Sequence, residues 1–470
     1  YRNKCDFTIG HDEEGKTAVG FVLGRDKRDG STVVARSKDC PHVPAKMHDL
    51  CLALETFLEA SPLEPYKPAD HSGVWRSMVV RHSERLQQTM VVVVVNTANC
   101  SDLKPQAADS LQASGCGNVE EAKASHEASP PPSLGLALAI KKKSKTLADG
   151  GEGQAAGAVC GVWEAEKKRL LSTLLGVAPL CTSLHVQVYN GVSTPGADDP
   201  VEHVGGTPFV EEELFGLRFA ITPGAFFQTN TQACEVLYRT VLELALECPA
   251  ASEGTGGAGA GKGVASGGGV TLLDVCCGTG TIGICAAAAA AGHRLSPSEA
   301  SSSSSFSSSS SSSTTPSFTK KLTEVIGVEM CATAVECAKK NASANGVADM
   351  CTFVCSRAEL VLQSLLQRSE WKRRQGGGGG GSGTSDEVVA VVDPPRMGLH
   401  RSCLEAIRNC GVIERLIYVS CNPTGSLVND MDVLCGPSSK SLPGAAFVPV
   451  LAVPIDLFPS TSHCEMVVMF

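Results

Sequence analysis

The chain has 470 residues, 40 Lys+Arg against 49 Asp+Glu and a formal net charge of -9. That length accommodates two or three domains, each with its own core, and the acidic balance excludes a chain dominated by a polybasic nucleic-acid or membrane-binding surface. The longest apolar run, around "MVVVVV", is far too short to span a bilayer. The 21 cysteines are scattered without a framework spacing, which points to a reduced intracellular compartment rather than a disulfide scaffold.

In chain order, the first hundred residues alternate apolar and polar at period two in "TAVGFVLGR" (17–25), "TVVAR" (32–36), "VWRSMVVRHS" (74–83) and "TMVVVVVNT" (89–97), which predicts strands. Between them, "PAKMHDLCLALETFLEAS" puts Leu50, Leu54 and Leu58 on one helical stripe. A basic face could still exist locally, with the Arg2/Lys4 edge and Arg76, Arg81 and Arg85 as candidates. Cys40, His42, His48 and Cys51 are ligand-like in type, but they straddle a loop and a helix start, and no metal is expected there. Residues 100–161 are rich in Ser, Ala, Pro and Lys and read as a disordered insert, with "KKKSK" at 141–145 as a solvated run. A helix over Trp163–Leu175 and a strand over "SLHVQVYN" (183–190) follow. The expectation is a small mixed α/β domain over 1–228.

From Thr229 the rhythm changes, and a second domain is expected over 229–470. A helix over Thr231–Glu247 leads into continuous apolar strands alternating with helices: "VTLLDVCCGTG", "EVIGVEM" before "CATAVECAKKNASANG", "EVVAVVDPP" and "LIYVS". That pattern means a parallel sheet covered on both faces. Three further low-complexity inserts, 249–269, 295–318 and 375–385, interrupt it. The last two strands, in "FVPVLAVPIDLFP" and "CEMVVMF", leave no room for a crossover helix and must pair antiparallel at one edge. A doubly wound α/β sheet ending in an antiparallel hairpin is the class I arrangement associated with S-adenosylmethionine (SAM) dependent methyltransferases.

Four motifs carry chemistry. "LLDVCCGTGTIG" (272–283) is an acidic residue on a strand before a glycine-rich turn that opens a helix, where a ligand lies beyond the strand ends. Its Gly278–Gly283 spacing also matches a dinucleotide fingerprint, and Glu329 at the end of "VIGVE" suits a ribose hydroxyl pair in either cofactor. "VVDPPRMGL" (391–399) is a rigid exit that points Asp393 into the crevice. Cys421 in "YVSCNP" stands at the next strand end among turn residues, a polar, partly exposed setting expected to lower its thiol pKa. In "DLFPSTSHCEMVV", Glu465 opens an otherwise apolar strand, with His463 expected on the same face and Asp456 placed to orient it.

Together, "YRNKCDF", "GAFFQTNTQACEVLY", "LLDVCCGTGTIG", "VIGVEM", "VVDPPRMGLH", "YVSCNP" and "DLFPSTSHCEMV" resemble the RNA (uracil-C5)-methyltransferase family over most of 1–97 and 184–470. The resemblance implies SAM as cofactor and RNA as partner, above all tRNA at position 54 of the T-loop, with no obligate protein partner evident. It implies Cys421 as nucleophile toward uracil C6 and Glu465 as acceptor of the C5 proton. Gln228, Cys276, Thr281, Glu329 and Asp393 fall at cofactor positions, while Arg2, Lys4 and Phe226 are implied RNA contacts, with Phe227 an alternative to Phe226. Core packing is the competing reading for both phenylalanines. Arg396 stands where related amino-group methyltransferases carry an aromatic, so methylation of a base amine or a cytosine stays open beside uracil C5 chemistry. An RNA-binding, tRNA-folding protein on the same scaffold is the third reading. Cytosol or nucleus is the expected location, with an organelle open because a targeting segment could precede Tyr1.

Overall fold

The computed structural model describes residues 1–27, 30–98, 161–176, 181–196, 199–247, 269–295, 320–364 and 386–470. The four stretches expected as inserts lie outside the described residues, save for residues at their ends, as does "KKKSK".

The N-terminal part builds a seven-stranded mixed sheet from β1 (Lys4–His11), β2 (Thr17–Arg25), β3 (Thr32–Arg36), β4 (Trp75–Ser83), β5 (Gln88–Val95), β6 (Ser183–Val188) and β7 (Glu202–Gly206), in the order β2-β3-β1-β4-β5-β6-β7. The four strands expected from alternation are β2 to β5, and the strand expected over 183–190 is β6; β1 and β7 lie outside those expectations. In β1 the period is nonetheless clean, with Cys5, Phe7 and Ile9 buried and Asp6 exposed between them. Helices α1 (Ala45–Glu59) and α2 (Gly161–Gly176) bury their apolar stripes on this sheet, joining Phe7, Leu50, Leu54, Trp75, Trp163 and Leu170 in one cluster. Trp75 is its hub, meeting Phe57 edge-on at 5.4 Å and Trp163 at 5.7 Å. A short hairpin, β8 (Val210–Leu214) and β9 (Leu217–Ile221), follows.

The C-terminal part alternates helix and strand: α3 (Thr231–Leu246), β10 (Val270–Val275), α4 (Thr281–Ala290), β11 (Leu322–Glu329), α5 (Ala332–Ala344), β12 (Cys351–Cys355), β13 (Glu387–Val392), α6 (Arg401–Asn409), β14 (Ile413–Ser420), α7 (Ser426–Cys435), β15 (Leu451–Ile455) and β16 (Glu465–Met469). The sheet order is β12-β11-β10-β13-β14-β16-β15. The first five strands are parallel, while β16 runs antiparallel to both β14 and β15. The class I methyltransferase arrangement read from the sequence is therefore present. One detail matters for the site: β16 inserts between β14 and β15, so the last strand lies directly against the strand that leads into Cys421.

One apolar cluster runs from Met90 and Val92 on the first sheet, through Phe219 and Phe227, to Leu237, Ile284 and Val391. The hairpin β8–β9 thus sits between the two sheets as shared core. Among the described residues, no helix is long and apolar enough to cross a membrane.

Candidate active site

The strand order reverses between β10 and β13, and the crevice opens at their carboxyl ends. β10 delivers its chain into a turn where Cys276 (φ 62°), Gly278 (φ 54°) and Gly280 (φ 79°) all take the left-handed region. At Gly280 a Cβ would also sit 2.7 Å from the Phe353 ring, so only glycine fits both backbone and space. Cys276 tolerates the same conformation as a non-glycine residue, a kind of local strain that gathers at binding sites.

Asp274, on β10, is fully buried. Its Oδ2 accepts the Gly283 N–H at 3.1 Å, but its Oδ1 has no partner, and burial pushes the carboxyl up to about 7. Glu329, at the tip of β11, accepts the Gly278 N–H at 3.1 Å on one oxygen and the Met330 and Cys331 N–H groups at 2.7 and 2.9 Å on the other. The oxygen facing Gly278 keeps a free lone pair. Thr281 opens α4 with its hydroxyl 2.9 Å from that of Tyr238. Phe226, Tyr238, Asp274, Cys276, Thr281 and Asp393 are among the walls of one cleft, about 370 Å³ including its open mouth. A buried unpartnered carboxylate oxygen, a backbone turn stripped of side chains and an acceptor on Glu329 suit a ligand with an ammonium and a sugar diol.

The other half of the site lies across β13, β14 and β16. Asp393 follows β13 directly, its N–H donating to the Val275 carbonyl at 3.3 Å, and burial raises its carboxyl to about 7. Ser420 on β14 is in register with Met466 on β16, so the next residues outward, Cys421 and Glu465, face each other across the strand pair. Glu465 is buried, its Oε2 has no partner, and burial together with the charge of Asp393 pushes it up to about 8. The loop after Cys421 is tied to the loop after Asp393 by Asn422, whose side-chain amide donates to the Arg396 carbonyl at 3.3 Å. Behind them, Asp430 accepts the Leu399 N–H at 2.8 Å and the buried Tyr418 hydroxyl at 2.5 Å, fixing the 393–399 exit to the sheet.

Several expectations need correction. The Cys421 thiol is raised, not lowered: its half-buried setting dominates, Glu465 and Asp393 add to it, and Arg396 and a backbone hydrogen bond oppose them without prevailing. His463 is exposed and precedes β16, so it does not share a strand face with Glu465; its N–H turns back to Thr461 Oγ1 at 3.2 Å. The Arg76, Arg81 and Arg85 group is no basic face. Arg76 donates to the carbonyls of Tyr189 and Gly191 and stacks on Tyr66, Arg81 is buried, and Arg85 forks onto buried Glu235 at 2.5 and 2.9 Å. Among the described residues, no three His, Cys, Asp or Glu side chains gather as metal ligands.

The remaining sequence-derived residues divide by depth. Phe226 is 67% exposed in the cleft wall, whereas Phe227 is core, under the Arg81 guanidinium at 5.7 Å. Gln228 follows, buried. Arg2 is half-buried with its Nε on the Lys4 carbonyl at 3.3 Å, and Lys4 pairs with Asp6 at 3.5 Å. Sequence reading noted the acid of "LLDVCC", Asp274, without giving it a role, and missed Asn3 and Asn422 as site residues.

A family model described as tRNA (Uracil-5-)-methyltransferase matches residues 312–470, the stretch that holds Glu329, Asp393, Cys421 and Glu465. tRNA (uracil-5-)-methyltransferase homolog B of Homo sapiens is 30% identical over the whole chain, which covers 70% of that protein. The chain belongs to the tRNA (uracil-5-)-methyltransferase family. Homolog A of Mus musculus is 32% identical, again over the whole chain, and homolog A of Homo sapiens 31%. The chain spans only 57% and 56% of those two family members. Among solved structures, Pyrococcus abyssi tRNA (uracil-54, C5)-methyltransferase in complex with S-adenosyl-L-homocysteine matches with a TM-score of 0.54 at 19% identity, covering 100% of this chain and 75% of that one. That likeness establishes the shared SAM-dependent methyltransferase fold.

Proposed function

We propose that the protein methylates C5 of uridine in RNA using SAM, with tRNA as substrate and the T-loop uridine at position 54 as target. The observation that carries the reading is the pairing of Cys421 and Glu465 across β14 and β16, beside Asp393 and the glycine-turn cleft. SAM supplies an electrophilic methyl group. Unaided, uracil C5 is too weak a nucleophile to take it. Once the Cys421 thiol has lost its proton to solvent, addition of the thiolate to C6 moves the ring electrons onto C5 and O4, so that C5 becomes the nucleophile. After methylation, Glu465 takes the C5 proton, the C5–C6 double bond reforms and the thiolate leaves.

The electrostatics suit these roles. A carboxyl raised to about 8 is mostly protonated at neutral pH, and its ionised fraction is a stronger base toward a carbon acid than an ordinary carboxylate. Because the thiol is also raised, Cys421 does not rest as a thiolate, and its ionisation is part of the activation barrier. The free lone pair of Glu329 fits a ribose hydroxyl, the unpartnered oxygen of Asp274 fits the ammonium side of the cofactor, and Gln228 and Asp393 are assigned by the family resemblance to the meeting of cofactor and base. Exposed Phe226 offers a stacking face for a uridine splayed out of its fold. Residues 1–228 serve as the RNA clamp, with Arg2 and Lys4 on phosphate, and 229–470 as the methyltransferase domain.

The test is methyl transfer to unmodified tRNA, compared with a transcript whose T-loop uridine is replaced. Transfer to the first alone, recovered as 5-methyluridine, supports the proposal; recovery as a methylated amine or methylcytosine contradicts it.

A further inference from the structure

Resting on that reading, we propose that Asn3 and Arg81 are positioning residues that hold the Phe226–Thr231 segment, and with it Gln228, against the reacting base. Three consecutive carbonyls of this segment are taken by these two residues. The Asn3 backbone N–H donates to the Thr229 carbonyl at 2.8 Å, its side-chain amide donates to the Gln228 carbonyl at 2.9 Å, and Arg81 donates to the Phe227 carbonyl at 3.3 Å. The same Asn3 amide reaches Thr231 Oγ1 at 2.9 Å, at the first residue of α3. Arg81 in turn donates to Asn3 Oδ1 at 3.3 Å, and the His82 N–H donates to the Asn3 carbonyl at 2.8 Å, so Asn3 is clamped from β4.

Asn3 and Arg81 are both buried, and a buried guanidinium is costly unless its donors are used. Burial lowers Arg81 to about 10, still a cation at neutral pH, with Glu212 and Asp6 supporting the charge. Glu212 closes the cluster by accepting the Thr231 hydroxyl at 3.1 Å and the Ser83 hydroxyl at 2.8 Å. Irregular backbone next to a cleft has no ladder of its own to fix it. Here Asn3, just before β1, and Arg81 on β4 supply three of the missing donors, so the register of Gln228 is set largely from the first sheet, while the Asn230 side-chain amide adds one tie to the Leu457 carbonyl at 3.1 Å. Neither residue touches the reacting atoms.

The test compares Asn3→Asp in the full chain with wild type and with Ser83→Ala, which loosens the same cluster without touching the three carbonyls. Asn3→Asp keeps size and the Arg81 contact but removes the amide donor. The expected result is a 10- to 100-fold lower kcat, KM for tRNA within about threefold by the same reasoning, and faster hydrogen exchange confined to 226–231, with Ser83→Ala near wild type. Arg81→Lys, which keeps the charge but loses the fork, should show the same pattern if Asn3→Asp folds poorly. Wild-type kcat and exchange in Asn3→Asp, an equal loss in Ser83→Ala, or an effect on KM alone would overturn the inference. If the wild-type protein transfers no methyl group to uridine, the functional reading fails, while the exchange comparison still decides whether Asn3 holds the segment.

Discussion

Glu465→Gln isolates the cost of a buried carboxylate in the site. In the folded protein Glu465 is pushed from 4.5 to about 8, first by burial and then by Asp393. A group whose folded pKa is raised binds its proton more tightly in the native state, so its contribution is fully present below the unfolded pKa and is lost as pH rises through the folded one. At one pKa unit per 1.36 kcal/mol, the part of that loss between pH 6 and pH 9 is about 2–3 kcal/mol. Glutamine cannot ionise, so the variant should lose about 2–3 kcal/mol less than wild type over the same interval. Urea denaturation at pH 6 and pH 9, on both proteins, reads the difference directly. Parallel losses, agreeing to within about 0.5 kcal/mol, would refute the claim that the fold holds Glu465 protonated near neutrality. The same substitution should let the covalent complex with ordinary tRNA accumulate, since the C5 proton loses its acceptor.

Three other outcomes follow from the geometry. Gly280→Ala, at φ 79° and 2.7 Å from the Phe353 ring, should cost roughly 1–3 kcal/mol in thermal or urea unfolding and weaken SAM binding in calorimetry. Arg85→Ala removes the guanidinium fork from the buried Glu235 carboxylate, which keeps the Phe215 N–H at 2.7 Å, and should destabilise by about 3–5 kcal/mol in a denaturant titration. Phe226→Ala should shift stability by less than about 0.5 kcal/mol, because the ring is exposed, while lowering tRNA affinity measured by filter binding.

The parallel sheet was legible because its strands are apolar on both faces and its helices fall between them. The closing antiparallel pair was legible from chain length alone, since the link between β15 and β16 is too short for a crossover. In one strand a polar residue at a core-facing position hid the period. In β8, "VEEEL", inward Glu212 is buried on Ser83 and Thr231, so a strand with alternating burial looks like a charged loop. The same holds for the site. Cys421, Asp393 and Glu465 announce themselves at strand ends, but the insertion of β16 beside β14, which makes Cys421 and Glu465 neighbours, is a property of the sheet order. Asn3 and Gln228 are 225 residues apart in sequence, and no local pattern predicts their hydrogen bond. The thiol pKa was misjudged because exposure was inferred from turn residues, whereas burial first, and then two nearby carboxylates, raise it.

The central claim is that Cys421 attacks C6 of a uracil whose C5 proton must then leave. Incubation of the protein and SAM with tRNA carrying 5-fluorouridine tests it most directly, because fluorine at C5 cannot be removed as a proton. A denaturation-resistant protein–RNA adduct that needs SAM and disappears in Cys421→Ala is the predicted result; an adduct that persists in Cys421→Ala would contradict the account.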